Sequence, residues 1–317
     1  MEEFPNVDPI LDPKYAGAVA AKHFSAQLST ARDLAGYWSN LLKRCFASAD
    51  KSSVQDLVLI LGFFRNGLKA FDGCLVCLDV GAVGAAQFAI RSLWEAELFA
   101  KWILSNDRLR WSRQAYVADL RIEREWALRV VEGTAQSSSH EASWRETFGK
   151  EAPSASPEVR SAAPARIKEL NQMLTRPVYA EIYGWFDSFR GSRPFEPDWY
   201  KPGPDAPKTV GEMTKKLGRS AEYAMLYSLL SYHTHSTRPS AGFRVLQDGH
   251  VVVEPIRAFR DFGHSLTLAT TLALRFLWLF TETYRSGEAE TLRNQHKAWR
   301  EGLQLPPIVE GEDYISI

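Results

Sequence analysis

Apolar residues recur every three to four positions along most of the chain, and this spacing predicts amphipathic helices. Between residues 15 and 47, for example, Val19, Phe24, Leu28 and Trp38 fall on one helical face. The pattern predicts helices over about 15–47, from Ser52 or Ser53 to 79, and over 83–104, 107–131, 165–173, 177–189, 210–217, 259–284 and 288–301. Within residues 219–240 a helical pattern also begins, and it breaks down in a loop that contains His and Pro. The predicted fold is therefore an all-α multi-helix bundle.

Segments that lack the helical spacing of apolar residues indicate the domain organisation. Residues 1–13 contain three prolines and predict an extended arm, and residues 303–317 predict a tail. Between them, residues 14–302 are expected to form a single helical domain with irregular insertions at about 133–164 and 190–208, which are rich in Ser, Ala or Pro. Two short apolar runs joined by Asp248-Gly249 predict one small β-hairpin near residues 243–256.

The composition is that of a globular protein, and the net charge is too balanced to attract a polyanion by itself. The 317 residues are 45% hydrophobic, which is enough to bury a large core. Lys plus Arg and Asp plus Glu both number 38, so no overall field attracts nucleic acid or an anionic membrane. A local basic patch remains compatible with this balance.

The cysteines, the first residues and the most apolar segment predict neither export nor a membrane span. Cys74 and Cys77 form a C-x-x-C inside an apolar helical run without a second pair, which favours core residues over a redox or zinc site. The acidic, proline-interrupted start is not a secretory signal. The most apolar segment, Leu266–Phe280, contains Arg275 and is shorter than the about 20 residues that span a bilayer. We therefore expect a cytoplasmic protein with no membrane partner.

The main candidate for chemistry is the segment Arg219–Ser240. On a helix, Tyr227, Ser231 and His235 align at i, i+4 and i+8, beside apolar residues that turn this line inward. An imidazole there can act as a general acid or base, and the sequence assigns His235 this role. Tyr227, Ser231, His233 and Arg238 are the expected ligand-binding residues. The alternative is that the Ser and His only cap the end of a helix.

Metal and nucleotide sites find little support. His233 and His235 lie two residues apart, so on a helix their rings diverge by about 200°. No carboxylate is placed to join them, and no metal is expected. Phosphate-cradling glycine loops and nucleophile elbows are absent from the sequence, and no cofactor is expected.

A second candidate lies on the helix predicted over 83–104. Arg91 and Glu95 share a line with apolar residues, where a charge pair is costly unless it is fully partnered. The prediction is that Arg91 binds an anionic group and that Glu95 orients it or His235, with Arg275 as a rival partner for Glu95. Glu97 and Lys101, also four residues apart, are predicted on the outer face. The alternative for Arg91 and Glu95 is a structural ion pair.

Taken together, R-x-x-x-E at Arg91 and Glu95 and Y-x-x-x-S-x-x-x-H-S from Tyr227 to Ser236 resemble the bacterial domain-of-unknown-function 5677 family. The resemblance covers about residues 57–284. It implies an all-helical fold and no established activity.

The chain also has a weaker similarity to the helical HEPN ribonucleases of toxin and phage-defence systems, which use an Arg and a His on one helix. Their R-x(4–6)-H spacing is absent around His235, so Arg91 would supply the cation from another helix.

Two hypotheses follow, and the sequence leaves open whether the protein is an enzyme. In the first, Arg91, Glu95, Tyr227, Ser231 and His235 form one inward-facing polar pocket for an anionic small molecule or RNA, which the protein binds or hydrolyses. In the second, the same residues tie helices together in a binding or scaffold module, which is compatible with a homo-oligomer.

Overall fold

The structure is a computed structural model that describes residues 11–149, 155–191, 193, 195–227, 230, 243–253, 256–257, 259, 261–303 and 315–316. Contacts divide the chain into two compact units. Unit 1 comprises Met1–Leu104 with Thr214–Ile317, and unit 2 comprises Ser105–Met213. The single domain over residues 14–302 stays a prediction, and residues 1–10 of the predicted arm and most of the tail lie outside the described residues.

Helices form most of the described chain. In order, they are α1 (Pro13–Ser48), α2 (Val54–Asp56), α3 (Arg65–Asp79), α4 (Val83–Leu104), α5 (Arg108–Leu128), α6 (Ala135–Phe148), α7 (Pro157–Leu174), α8 (Ala180–Arg190), α9 (Val210–Lys216), α10 (Ser220–Glu222), α11 (Phe262–Tyr284) and α12 (Ala289–Gly302). Stretches of π-helix occupy Leu57–Phe64 and Tyr223–Tyr227, and single 3₁₀ turns occupy Pro177–Tyr179 and Ser286–Glu288. The predicted all-α class is confirmed.

The described residues also include short paired strands. β1 (Phe243–Val245) runs antiparallel to β2 (Val251–Val253), with Arg244 opposite Val252. β2 also pairs with β3 (Ile315–Ser316). With two or three residues in each strand, they do not alter the helical class of the protein.

Aromatic rings fill the core of unit 1, where α11 packs against α1, α3 and α4. The Phe64 and Phe280 rings stack with centroids 3.9 Å apart, and Trp38 meets the edge of Phe276 at 5.5 Å. Gly67 of α3 faces this cluster, and a Cβ at that position would lie 2.5 Å from the Phe276 ring. The glycine therefore allows α3 to approach α11 closely.

Unit 2 has a smaller apolar core of its own, in which α5 packs on α7 and α8. Its buried members are Val117, Ala118, Leu120, Leu170, Leu174, Tyr179, Ile182 and Phe186. At the edge of this core, the Gln114 side-chain amide donates to the backbone carbonyls of Trp199 at 2.7 Å and Pro202 at 2.8 Å. These bonds hold the non-helical segment after α8 against α5.

The prediction of an irregular segment over residues 133–164 is wrong, because α6 and the first turns of α7 lie there. The Thr134 hydroxyl caps α6 by accepting from the Ser137 amide at 3.0 Å. Ser156 caps α7 with Pro157 at its first position, where the missing amide hydrogen costs nothing. Pro164 lies inside α7, and packing of Ala163, Leu170 and Leu174 outweighs its effect on the helix.

No helix in the described ranges is both long enough and apolar enough to cross a bilayer. The apolar segment Leu266–Phe280 lies within α11, where Leu266, Ala273, Phe276 and Phe280 are fully buried. Its apolarity is thus explained by the core of unit 1.

Candidate functional site

Two of the predicted catalytic residues meet one predicted ligand-binding residue in unit 1. Arg91 Nε donates to Glu95 Oε1 at 3.0 Å within α4. The Arg91 guanidinium also lies 4.4 Å from the centroid of the Tyr227 ring, an attractive cation–π distance. The side chains of Arg91 and Glu95 are 16% and 29% exposed. Arg91, Glu95 and Tyr227 therefore lie together, as the sequence predicted. Their catalytic and ligand-binding roles stay predictions.

The other predicted ligand-binding and catalytic residues cannot be placed in the same way. Ser231, His233, His235 and Arg238 lie outside the described residues. The predicted line from Tyr227 to His235 therefore stays a prediction. Tyr227 itself lies in the π-helical stretch Tyr223–Tyr227, and its ring stacks on that of Tyr223 with centroids 4.7 Å apart.

Glu97 is buried, so its predicted position on the outer face is wrong. Only 3% of the residue is exposed, whereas Lys101, its predicted partner, is exposed. Glu97 Oε2 instead accepts hydrogen bonds from Arg219 Nη2 at 2.7 Å and Arg275 Nη2 at 2.6 Å. Two guanidinium groups compensate the cost of burying this carboxylate, which an i, i+4 pattern within α4 could not reveal.

Glu222 shares both of these arginines. It accepts from Arg219 Nη2 at 2.6 Å and from Arg275 Nη1 at 3.1 Å. Its Oε2 also accepts from the indole nitrogen of Trp94 at 3.2 Å. The sequence had suggested Arg275 as a partner for Glu95, but its carboxylate partners among the described residues are Glu97 and Glu222.

These contacts join into one group, because the Trp94 ring lies 6.3 Å from the Tyr227 ring that Arg91 contacts. We call this group the polar cluster. Its members are Arg91, Trp94, Glu95, Glu97, Arg219, Glu222, Tyr227 and Arg275. The three arginines equal the three glutamates in number, so the cluster is neutral when all are ionised.

Arg219 and Glu222 were not predicted as site residues from the sequence. A glycine that ends a helix nevertheless comes directly before them. Gly218, with φ of +71°, follows α9. Its amide donates to Lys215 O and the Arg219 amide donates to Thr214 O, which together form a Schellman motif. Glycine is favoured at this left-handed position, and the motif ends α9 and starts α10. The turn thereby brings Arg219 and Glu222, three residues apart, to α4.

The acidity of Glu97 reflects two opposing influences. Burial raises the pKa of its carboxyl to about 7, while the Arg219 guanidinium acts to lower this pKa. A carboxyl group that titrates near neutral pH, beside two guanidinium groups, has the properties of a general acid or base next to an anion-binding group. The structure therefore adds Glu97 to the residues that could carry chemistry.

The raised pKa of Glu97 makes stability depend on pH. Between pH 4.5, the usual pKa, and about pH 7, folded Glu97 keeps a proton that the unfolded chain loses. Its contribution to stability is thus greatest below pH 4.5 and declines up to about pH 7, by roughly 3 kcal/mol. We expect the free energy of unfolding of the wild type, measured in urea, to fall over this interval relative to that of Glu97→Gln. Parallel pH profiles of the two proteins would contradict this.

The cysteines and acidic groups of the described chain do not form a second centre. Cys74 is buried, which raises the pKa of its thiol to about 12, and both Cys74 and Cys77 are free. Such a thiol stays protonated at neutral pH and reacts poorly. Within the described ranges, no group of three His, Cys, Asp or Glu side chains is arranged to hold a metal ion.

Comparison with protein-family models gives one further finding. Residues 57–249, more than half of the chain, match the model of a family of unknown function, DUF5677. The chain belongs to this family. Neither the curated proteins nor the solved structures give a match.

The DUF5677 match covers all but one member of the polar cluster. Arg91, Glu97, Arg219 and Glu222 lie inside the matched residues, whereas Arg275 lies after them on α11. The predicted membership is confirmed, and the matched DUF5677 region contains both segments on which the resemblance was based. The similarity to HEPN proteins remains a prediction.

Proposed function

We propose that this DUF5677 protein binds an anionic ligand at the polar cluster, with a phosphodiester as the best-matching ligand class. The observation that carries the proposal is the position of Glu222. Its side chain is 29% exposed, yet it contacts both Arg219 and Arg275. A carboxylate that pairs with two arginines and remains reachable from solvent marks a place where another anion can bind.

The two shared carboxylates differ in burial, which identifies the exchangeable one. The Glu97 side chain is 5% exposed and that of Glu222 is 29% exposed. Removing Glu97 from its arginines would leave a charge in the interior, whereas Glu222 can turn into water at much lower cost. We therefore assign Glu97 as the fixed partner of the arginines and Glu222 as the one that a ligand displaces.

The shape of the exchangeable group favours a phosphodiester. Glu222 presents two oxygens and one negative charge to the guanidinium groups of Arg219 and Arg275. A phosphodiester likewise has two non-bridging oxygens that share one negative charge, and arginine pairs well with both kinds of anion. Arg91 adds a third cation on the same helix as Glu97.

RNA is the phosphodiester that we propose first, because of the similarity of the sequence to HEPN ribonucleases. In this proposal His235 is the general acid or base, Arg91 stabilises negative charge that develops in the reaction, and Glu95 orients Arg91. A cytoplasmic location and a role in bacterial defence belong to the same proposal.

Binding can be tested by titrating the protein with a dinucleoside monophosphate and measuring the affinity by isothermal titration calorimetry. We expect Arg275→Gln to weaken binding about tenfold or more, since it removes a charge-assisted contact. Arg293→Gln is the matched control, because the Arg293 side chain is 62% exposed and its only ion pair among the described residues is with Glu290. Equal affinity of the wild type and Arg275→Gln, with both proteins folded by circular dichroism, would reject the site.

Turnover is tested separately with a labelled RNA oligonucleotide. Degradation by the wild type that is lost in folded His235→Ala supports the assignment of His235. RNA that stays intact with the wild type restricts the function to binding.

A second function is favoured by one specific observation. Every carboxylate in the polar cluster already pairs with an arginine, as expected if the cluster only ties α4, α10 and α11 together in a scaffold or binding module. In that case the anionic probe would not bind, and substitutions in the cluster would change only the stability of the protein.

A further inference from the structure

Unit 2 contains a cavity of about 530 Å³ between the C-terminal end of α5, α6 and the start of α7. This volume falls in the range of about 300–1,000 Å³ that is typical of sites for small molecules. Its walls include three arginines, Arg129, Arg145 and Arg160, and the aromatic residues His140 and Trp144. None of these residues belongs to the polar cluster of unit 1.

The arginines of this cavity are weakly paired. Arg129 has no carboxylate within ion-pair distance in the described chain, and its guanidinium lies 4.2 Å from the Trp126 ring centroid. Arg160 approaches Glu132 only to 3.4 Å, and the Glu132 side chain is 83% exposed. Exposed pairs of this kind contribute little and are readily exchanged.

Arg145 adds to this excess of available positive charge. Its distance to Glu141 is 3.5 Å, and both side chains are more than half exposed. In the polar cluster, by contrast, the distances between guanidinium and carboxylate groups are 2.6–3.1 Å. The cavity lining has three arginines against two glutamates, so it favours an anion.

An aromatic wall accompanies these cations. The half-buried Trp144 ring contacts the His140 ring at 5.3 Å and the Phe148 ring at 5.0 Å between centroids. These contacts hold the indole in place, and an aromatic ligand ring can stack on such a surface. A cavity with cations and a fixed indole matches a ligand that combines a phosphate with a planar ring.

We propose that this cavity binds a nucleoside monophosphate, with its phosphate against Arg129 and Arg160 and its base against Trp144. Arginine forms strong charge-assisted hydrogen bonds with phosphate oxygens, and the indole supplies the stacking surface. The site is independent of the proposed function, since it lies entirely within unit 2.

The test is calorimetric titration of the full-length protein with adenosine monophosphate, adenosine and inorganic phosphate. We expect the wild type to bind adenosine monophosphate at least about tenfold more tightly than either fragment, because only the whole ligand makes both contacts. Arg129→Gln and Trp144→Leu should each lower this affinity about tenfold. Arg275→Gln, in the polar cluster, and the surface variant Arg293→Gln should leave it unchanged.

Three results would overturn this assignment. These are the absence of saturable binding, equal affinities for adenosine and adenosine monophosphate, and an unchanged affinity in folded Arg129→Gln. A loss caused by Arg275→Gln instead would place the nucleotide at the polar cluster. The two proposals can therefore fail separately.

Discussion

Replacing Arg219 with alanine at pH 8 is expected to lower the free energy of unfolding by about 3–5 kcal/mol, the usual cost of breaking a buried ion pair. The Arg219 side chain is 13% exposed and that of its partner Glu97 is 5% exposed. Without Arg219, the ionised Glu97 keeps only Arg275 and lies in a largely water-free environment. The burial that raises its pKa then acts with less opposition.

Urea denaturation at two pH values tests the cause of this loss. At pH 5 Glu97 is protonated, so the difference between Arg219→Ala and the wild type should shrink. Arg293→Ala is the control, since its exposed pair with Glu290 should contribute less than about 1 kcal/mol. A loss for Arg219→Ala that matches this control, or that is the same at both pH values, would contradict the role given to Glu97.

In unit 2, Arg121→Ala is expected to cost about 3–5 kcal/mol for the same reason. The Arg121 side chain is 5% exposed, and its guanidinium donates to Asp187 at 2.8 Å and to both oxygens of Glu196 at 2.8 and 3.1 Å. The Glu196 side chain is only 7% exposed. The guanidinium also lies 4.6 Å from the Tyr183 ring centroid, so the change removes packing as well as charge.

The control for Arg121 is Arg166→Ala, also in unit 2. Arg166 donates to Glu123 at 2.6 and 2.8 Å, but the two side chains are 38% and 48% exposed. If burial rather than distance sets the energy of an ion pair, Arg166→Ala should change the stability by less than about 1 kcal/mol in the same denaturation experiment. Similar losses for the two variants would show that burial is not decisive.

The polar cluster was only partly predictable from the sequence. The pair Arg91 and Glu95 was found because it interrupts an apolar stripe of α4. The importance of Glu97 was missed because an i, i+4 pair with Lys101 is typical of an exposed face. Its real partners, Arg219 and Arg275, are 122 and 178 residues away in the sequence, so a local pattern could not identify them.

The helices that pack on a core were also easier to predict from the sequence than the one that does not. α1, α4 and α11 were predicted because each presents a continuous apolar face to the core of unit 1. α6 was missed because it buries little beyond Ser137, so its sequence has almost no apolar periodicity. Its cap at Thr134, and that of α7 at Ser156, were the available signals, and both lie in a stretch whose Ser, Ala and Pro content resembles a loop.

The most direct test of the central claim is the affinity of Glu222→Gln for a dinucleoside monophosphate. If a ligand displaces this carboxylate from Arg219 and Arg275, neutralising Glu222 removes a competitor, and the affinity should rise about tenfold, or 1.4 kcal/mol. Glu290→Gln, which changes an exposed carboxylate by the same chemistry, should leave it unchanged. An affinity for Glu222→Gln that is equal to or weaker than that of the wild type would contradict the account.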